Sequence, residues 1–387
     1  MLPALLPLVL GQTAAQKTGV ALYDKPLPWS SAVGPGVPDF WVRPGYKVTL
    51  VADDLKNARF MVLDGKGSLF LSRPDRGDVL RLAKKGDKYE VANTFVKGYR
   101  QVHGMDVHDG WLWFTRSGSV HKAKINADGT AGPVEDVLTG LPEGGHWWRP
   151  ILVVKDGFFT GIGDPGNLTD QRETDREKVW KYALDGKTRT LWASGIRNTE
   201  KYQFRPGTDE LFGADHGSDW YGGKLGEGDK KPQPVTDAYP PCEFNRYVQG
   251  GFYGHPFYVG QNVPRLEFTD RPDMDEIAKT AIPPAWALGA HWAPNGWTFA
   301  TKGEWAGDAF IACHGSWNRS TKSGYRVERV MFDKATGEPY GSLMLVGGLG
   351  KNDDVLGRPV DVVEEPNGDL LFSDDGTNRI YRISKVK

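Results

Sequence analysis

The sequence predicts an all-β fold, a six-bladed β-propeller of four-stranded antiparallel blades. Two observations predict it. An apolar run, a turn at Asp-Gly or a similar pair, and a second apolar run recur six times, at a spacing of about 40–50 residues stretched by one insertion. The 387 residues also hold 49 glycines and 26 prolines, with helix-periodic runs nearly absent. That composition suits many short strands joined by tight turns. A radial array buries each sheet against its neighbours and leaves few free edges.

Taken in order, the copies begin at Phe60-Met61-Val62-Leu63-Asp64-Gly65, Met105-Asp106-Val107-His108-Asp109-Gly110 and Leu152-Val153-Val154-Lys155-Asp156-Gly157. Later copies begin near Tyr202-Gln203-Phe204-Arg205-Pro206-Gly207, Gly296-Trp297-Thr298-Phe299 and Val360-Asp361-Val362-Val363. A second strand follows, as in Ser68-Leu69-Phe70-Leu71-Ser72 or Asp369-Leu370-Leu371-Phe372-Ser373, and then an outer one, as in Val79-Leu80-Arg81-Leu82 or Arg379-Ile380-Tyr381-Arg382-Ile383. Tyr46-Lys47-Val48-Thr49-Leu50-Val51 is expected to close the ring on the C-terminal blade. The propeller thus spans 41–387, with an insertion over about 217–290 that is too long for a passive loop and is expected to cover the pocket or bind an ion. Residues 16–40 are expected to wrap the outside.

Residues 1–15 read as a signal peptide. Leu2 to Leu10 is apolar but too short to span a membrane, and Thr13 and Ala15 suit the small-residue cleavage positions. A periplasmic or secreted location is therefore expected, the other reading being an apolar tail, since no lysine or arginine precedes the run. The 48 basic and 49 acidic residues give a net charge of −1, which offers no electrostatic case for nucleic acid or an anionic membrane surface. Cys242 and Cys313 are the two cysteines, far apart, and form no metal or disulfide framework. Dinucleotide, Walker, HExxH and GxSxG motifs are missing.

His146 follows Glu143-Gly144-Gly145 at the head of a strand, and Asp164 ends the hairpin that it opens. A neutral imidazole there can take a proton from a substrate hydroxyl if a carboxylate fixes its tautomer. A histidine packed on Trp147 or Trp148 is the alternative. Arg197-Asn198 offer a guanidinium and an amide to a planar carboxylate or quinone, or else form a surface turn. Arg319 and Arg358 stand at similar ends of later blades, and several arginines on one end would make a funnel for a polyanion. Gly217-Ser218-Asp219 could give Ca²⁺ its oxygen ligands, with Glu243 and Tyr253 as a second calcium shell. A plain glycine turn is the competing reading.

The ordered set Gly145-His146-Trp147-Trp148-Arg149, Gly161-Ile162-Gly163-Asp164, Gly195-Ile196-Arg197-Asn198 and Gly250-Gly251-Phe252-Tyr253-Gly254-His255-Pro256 resembles the glucose/sorbosone dehydrogenases. So do His291-Trp292-Ala293-Pro294-Asn295-Gly296, His314-Gly315-Ser316-Trp317-Asn318-Arg319 and Gly357-Arg358-Pro359-Val360. These are soluble quinoproteins with six-bladed propellers, and the resemblance covers residue 40 to the C-terminus. It implies an oxidoreductase that uses pyrroloquinoline quinone (PQQ) and Ca²⁺ to oxidise an aldose or related aldehyde, passing electrons to an external acceptor. His146 would be the general base and Asp164 its orienting carboxylate. Arg197, Asn198, Arg358 and Gln101 would contact the cofactor, and His291 would line the pocket. Arg319 falls where the soluble glucose enzymes place a lysine. Gly217 and Ser218 would be carbonyl ligands of the cofactor's calcium, and Glu243 with Tyr253 those of a structural calcium. Two rivals remain: a non-catalytic propeller that binds a carbohydrate or a protein, and a calcium-dependent lactonase, which would need several carboxylates converging in the channel.

Overall fold

The computed structural model describes residues 33–222 and 234–386, so the signal-peptide expectation and most of the 16–40 segment lie outside the described residues. Six antiparallel sheets stand around a central channel. Blade 1 is Met61–Leu63, Ser68–Arg73, Asp78–Lys85 and Lys88–Lys97; blade 2 is Met105–His108, Trp111–Arg116, Ser119–Ile125 and Ala131–Thr139. Blade 3 runs through Leu152–Val154, Gly157–Ile162, Lys178–Tyr182 and Arg189–Ser194. Blade 4 is Thr199–Phe204, Leu211–Asp215, Glu243–Tyr247 and Trp286–Ala287. Blade 5 is Pro294–Phe299, Ala309–Cys313, Arg326–Phe332 and Pro339–Gly347. Blade 6 takes Pro359–Glu364, Leu370–Asp374 and Arg379–Lys385 from the C-terminus and Tyr46–Ala52 from the N-terminus. The expected closing strand is therefore present, and Trp41–Val42 adds a second closure on the edge of blade 5.

The apolar runs lack a polar face because both faces of each sheet are buried. Leu69 and Leu71 pack towards blade 6 while Phe70, between them, packs towards blade 2. Leu370 and Phe372 likewise face blade 5, and Leu371 faces blade 1. This is the period-two alternation of a strand with a neighbour on each side. One hydrophobic cluster fills each of the six gaps between blades. In the gap between blades 4 and 5, Trp297 is fully buried among Phe244 and Phe299, and its indole N–H donates to the Lys201 carbonyl at 3.0 Å. Trp297→Ala should cost about 3–5 kcal/mol, read as a lowered midpoint in denaturant or heat.

The insertion is less separate than expected, since the third and fourth strands of blade 4 lie inside 217–290. Its remainder places Gly251–Phe252 parallel to the outer strand of blade 3 and buries its own small core of Phe257, Tyr258, Met274 and Ile277. No helix among the described residues is long and apolar enough to cross a membrane.

Candidate active site

The innermost strand of each blade starts at the same end of the channel, and the second strand returns to it. The residues just before an inner strand and just after a second strand therefore meet around one mouth. A cavity of about 260 Å³ lies there, lined among others by Arg59, His146, Trp148, Arg197, Glu200, His216, His291, His314 and Arg358.

His146 is held by backbone rather than by a carboxylate. Its Nδ1 lies 2.7 Å from the Asp164 carbonyl oxygen, and its own N–H donates to the same oxygen at 3.0 Å. A carbonyl only accepts, so Nδ1 carries the proton and Nε2 keeps a lone pair. This corrects the expected role of the Asp164 carboxylate, which is consumed elsewhere. Its Oδ1 accepts from the Gly166 N–H and the Thr169 hydroxyl, and its Oδ2 from the Thr169 N–H and His255 Nε2. The loop before His146 is fixed by two arginines. Arg149 donates to the carbonyls of Pro142 and His146, and Arg176 to those of Glu143, Gly144 and Gly163. A Cβ at Gly163 would come within 2.7 Å of the His146 Cβ, so only glycine lets the hairpin end close on His146. Burial, and then the Arg197 charge, push the His146 imidazole down to about 3.

Three guanidiniums reach the cavity. Arg197 follows a tight clamp in which the Asp215 carboxylate accepts the N–H groups of Arg197 and Asn198 at 2.9 and 2.6 Å. Its side chain bonds Asn167 and stands 3.5 Å from Asp219. The Arg358 guanidinium bonds His314 Nδ1 at 3.0 Å, and its buried Nε has no partner. Arg59 stacks on Trp148 at 4.4 Å and also keeps an unpartnered Nε. Glu200 forms part of the floor. Its Oε1 accepts from Asn198 at 3.3 Å, and its Oε2 lies 3.6 Å from both Arg59 and His103. A register shift between Thr199 and Tyr202 interrupts this inner strand. Glu200 lines the mouth, while its neighbour Lys201 pairs with Asp361 at 2.7 Å farther down the channel.

The other expected site residues divide. His291 lines the cavity, its ring bridging the Asn318 side chain and the Thr236 carbonyl. Gly217 lines it too, and a Cβ there would meet the Pro241 carbonyl oxygen at 2.6 Å. Asn198 sits behind the wall, its Nδ2 donating to Glu200 while its buried Oδ1 has no partner. Gln101 stays outside, in a left-handed turn whose N–H donates to the Pro74 carbonyl. Arg319 turns away to the carbonyls of Asp237 and Thr321. The Ser218 side chain faces Trp220 and Arg265 instead of the cavity. The calcium role expected of Glu243 and Tyr253 falls on their backbone carbonyls, while their side chains serve different ends of one strand. Glu243 accepts from the Gly260 N–H near the start of its strand, whereas the Tyr253 hydroxyl bonds the Arg246 carbonyl and the Val248 N–H at the other end.

Sequence reasoning missed Arg59, Glu200, His216 and His314. A signal for the histidines was available: His216-Gly217-Ser218 and His314-Gly315-Ser316 are one tripeptide, each directly after a second strand. Arg59 likewise precedes an inner strand, as Arg197 and Arg358 do.

The buried charges predict a stability profile for the ligand-free protein. Burial holds His255 and His314 down to about 4 and His146 to about 3, below their unfolded value. Their contribution is full above the unfolded pKa of about 6.5 and is lost as pH falls towards the folded values, each at about 1.4 kcal/mol per pH unit. Burial pushes Glu200 up to about 7, Glu243 to about 8 and Glu177 to about 9, three carboxylates that act in the opposite sense, so their contribution falls as pH rises through about 5 to 9. The two trends offset between about pH 4.5 and 6.5. The unfolding midpoint should peak there, drop steeply in acid and decline towards pH 8. Glu200→Gln should flatten the alkaline decline in a calorimetric pH series.

A family model described as TrAA12-like matches residues 40–386. An uncharacterized protein of Borreliella burgdorferi is 31% identical over 360 residues, covering 88% of this chain and 89% of that one. The holo form of the pyranose dehydrogenase PQQ domain from Coprinopsis cinerea matches with a TM-score of 0.78 at 18% identity, covering 92% of this chain and 100% of its own. The calcium structure of the family AA12 carbohydrate-active enzyme from Trichoderma reesei matches at 0.77 and 18%, over 92% and 100%. The PQQ-bound aldose sugar dehydrogenase from Streptomyces coelicolor matches at 0.62 and 17%, over 88% and 99%. At these identities the solved structures establish a shared fold.

Proposed function

The chain belongs to the TrAA12-like family, and from that premise we propose that it is a quinoprotein oxidoreductase acting on an aldose or related aldehyde. One observation carries the reading: three guanidiniums and the free Nε2 side of His146 share a single cavity. PQQ is a planar polyanion, and a similar propeller domain from Coprinopsis cinerea is named for it. The residues fit that group. Arg59 and Arg358 each keep a buried nitrogen without a partner, as donors awaiting an anion would. Gly217, with the Asp219 carboxylate beside it, would hold a calcium ion.

When bound, the quinone supplies the electron-pair acceptor and calcium polarises it. The chain's own residues do the rest. His146 Nε2 takes the hydroxyl proton of the sugar, while the Asp164 carbonyl holds the ring by Nδ1–H and is well placed to stabilise the imidazolium that forms. Arg59, Arg197 and Arg358 bind and orient the anion. Trp148 and the 74% exposed Trp317 wall the entrance. Electrons leave to an external acceptor, and export through residues 1–15 is part of the same proposal.

The test supplies the purified protein with PQQ and Ca²⁺ and follows dye reduction with a panel of aldoses. Reduction that requires sugar, quinone and calcium together is expected. Sugar-independent or quinone-independent reduction would refute the reading.

A further inference from the structure

Behind the cavity, three buried side chains from three chain segments point at one another. Asp164 ends the blade 3 hairpin, Glu177 precedes that blade's third strand, and His255 belongs to the insertion. One ligand atom from each lies within 4.8 Å of the other two. His255 Nε2 is 2.9 Å from an Asp164 oxygen and 3.6 Å from Glu177 Oε1. Glu177 is 3% exposed, and its Oε1 finds no donor. A buried carboxylate oxygen without a donor, facing a second carboxylate, requires a positive charge or a proton.

The spacing favours an ion. Two ligands about 2.1 Å from one metal stand roughly 3.0 Å apart at a right angle and roughly 3.4 Å apart at the tetrahedral angle. An imidazole with two carboxylates suits zinc or a neighbouring transition metal, whereas calcium takes oxygen ligands. We propose that Asp164, Glu177 and His255 bind one divalent transition-metal ion, Zn²⁺ foremost, which fastens the insertion to the hairpin that carries the catalytic base. On binding, the proton that His255 Nε2 shares with Asp164 passes to Nδ1 of the same ring, and Nε2 turns its freed lone pair to the metal. Asp164 keeps its three other donors. Because the Asp164 carbonyl orients His146, the ion would stiffen the base without touching substrate. These three side chains alone make the site, whether or not the cavity takes a quinone.

The test titrates metal-depleted full-length protein with Zn²⁺ in the presence of excess Ca²⁺, using calorimetry and thermal melts. One Zn²⁺ per chain should bind and raise the melting temperature. Affinity should fall by at least about a hundredfold in Glu177→Gln and in His255→Gln. Co²⁺ added to the unaltered protein should show ligand-field bands and a paramagnetically shifted imidazole, a readout that holds if a variant fails to fold. The proposal is overturned if no tight site exists, or if affinity drops in His314→Gln and not in Glu177→Gln. It is equally overturned if Glu177→Gln stabilises the metal-free protein while leaving Zn²⁺ binding intact, which would mean that the site holds a proton.

Discussion

Replacing His146 by alanine should lower sugar-dependent turnover on the order of a thousandfold while quinone affinity stays near that of the unaltered protein. The magnitude follows from removing a positioned general base. The selectivity follows from geometry, because Arg197 is anchored by Asn167, Arg358 by His314, and Arg59 by Asp375 at 2.9 Å and by stacking on Trp148, and none of these contacts is made by the imidazole. Steady-state dye reduction at saturating cofactor, with a binding titration on the same samples, separates the two effects. A second consequence concerns pH. Burial and Arg197 hold the imidazole down to about 3, so the base is neutral throughout the range in which an ordinary histidine would titrate. The acid limb of kcat/KM should therefore lie well below pH 6.5. Turnover close to normal in His146→Ala would remove this residue from the chemistry.

Arg358→Ala should weaken quinone binding by about a hundredfold, or about 3 kcal/mol. The side chain is held by a neutral partner, and its buried Nε is unsatisfied, so much of its donor capacity is kept for a ligand. Arg319→Ala makes the contrast. That guanidinium is spent on the Asp237 and Thr321 carbonyls, and its loss should leave affinity nearly unchanged. Quenching of Trp148 and Trp317, which flank the cavity, gives the binding curve.

The ring of blades was legible because its determinants are local. Asp-Gly turns, apolar runs and their spacing sit within single hairpins, and Tyr46–Ala52 betrayed its pairing by its own strand composition. Arg197, Arg358, His291 and Gly217 were legible as members of the wall because each lies within three residues of the start of an inner strand or the end of a second one, and His146 because of the glycine-flanked motif that carries it. What failed was side-chain direction. The sequence cannot show that the Asp164 carboxylate would meet Thr169 and His255 while its carbonyl served His146. Nor does it show that the segment 236–237, far from Arg319 along the chain, would capture that guanidinium. Glu200 went unrecognised because its place on the floor depends on tertiary contacts with Arg59 and His103. Glu243 and Tyr253 lie close in sequence, yet their side chains serve opposite ends of one strand.

The proposed function requires this cavity to hold an anionic quinone on its arginines. The most direct measurement is a fluorescence titration of the metal-replete protein with PQQ and Ca²⁺, run in parallel on Arg358→Ala. Saturable quenching at one quinone per chain, shifted about a hundredfold in the variant, is the predicted result. Absence of saturable binding, or identical curves for the two proteins, would contradict it.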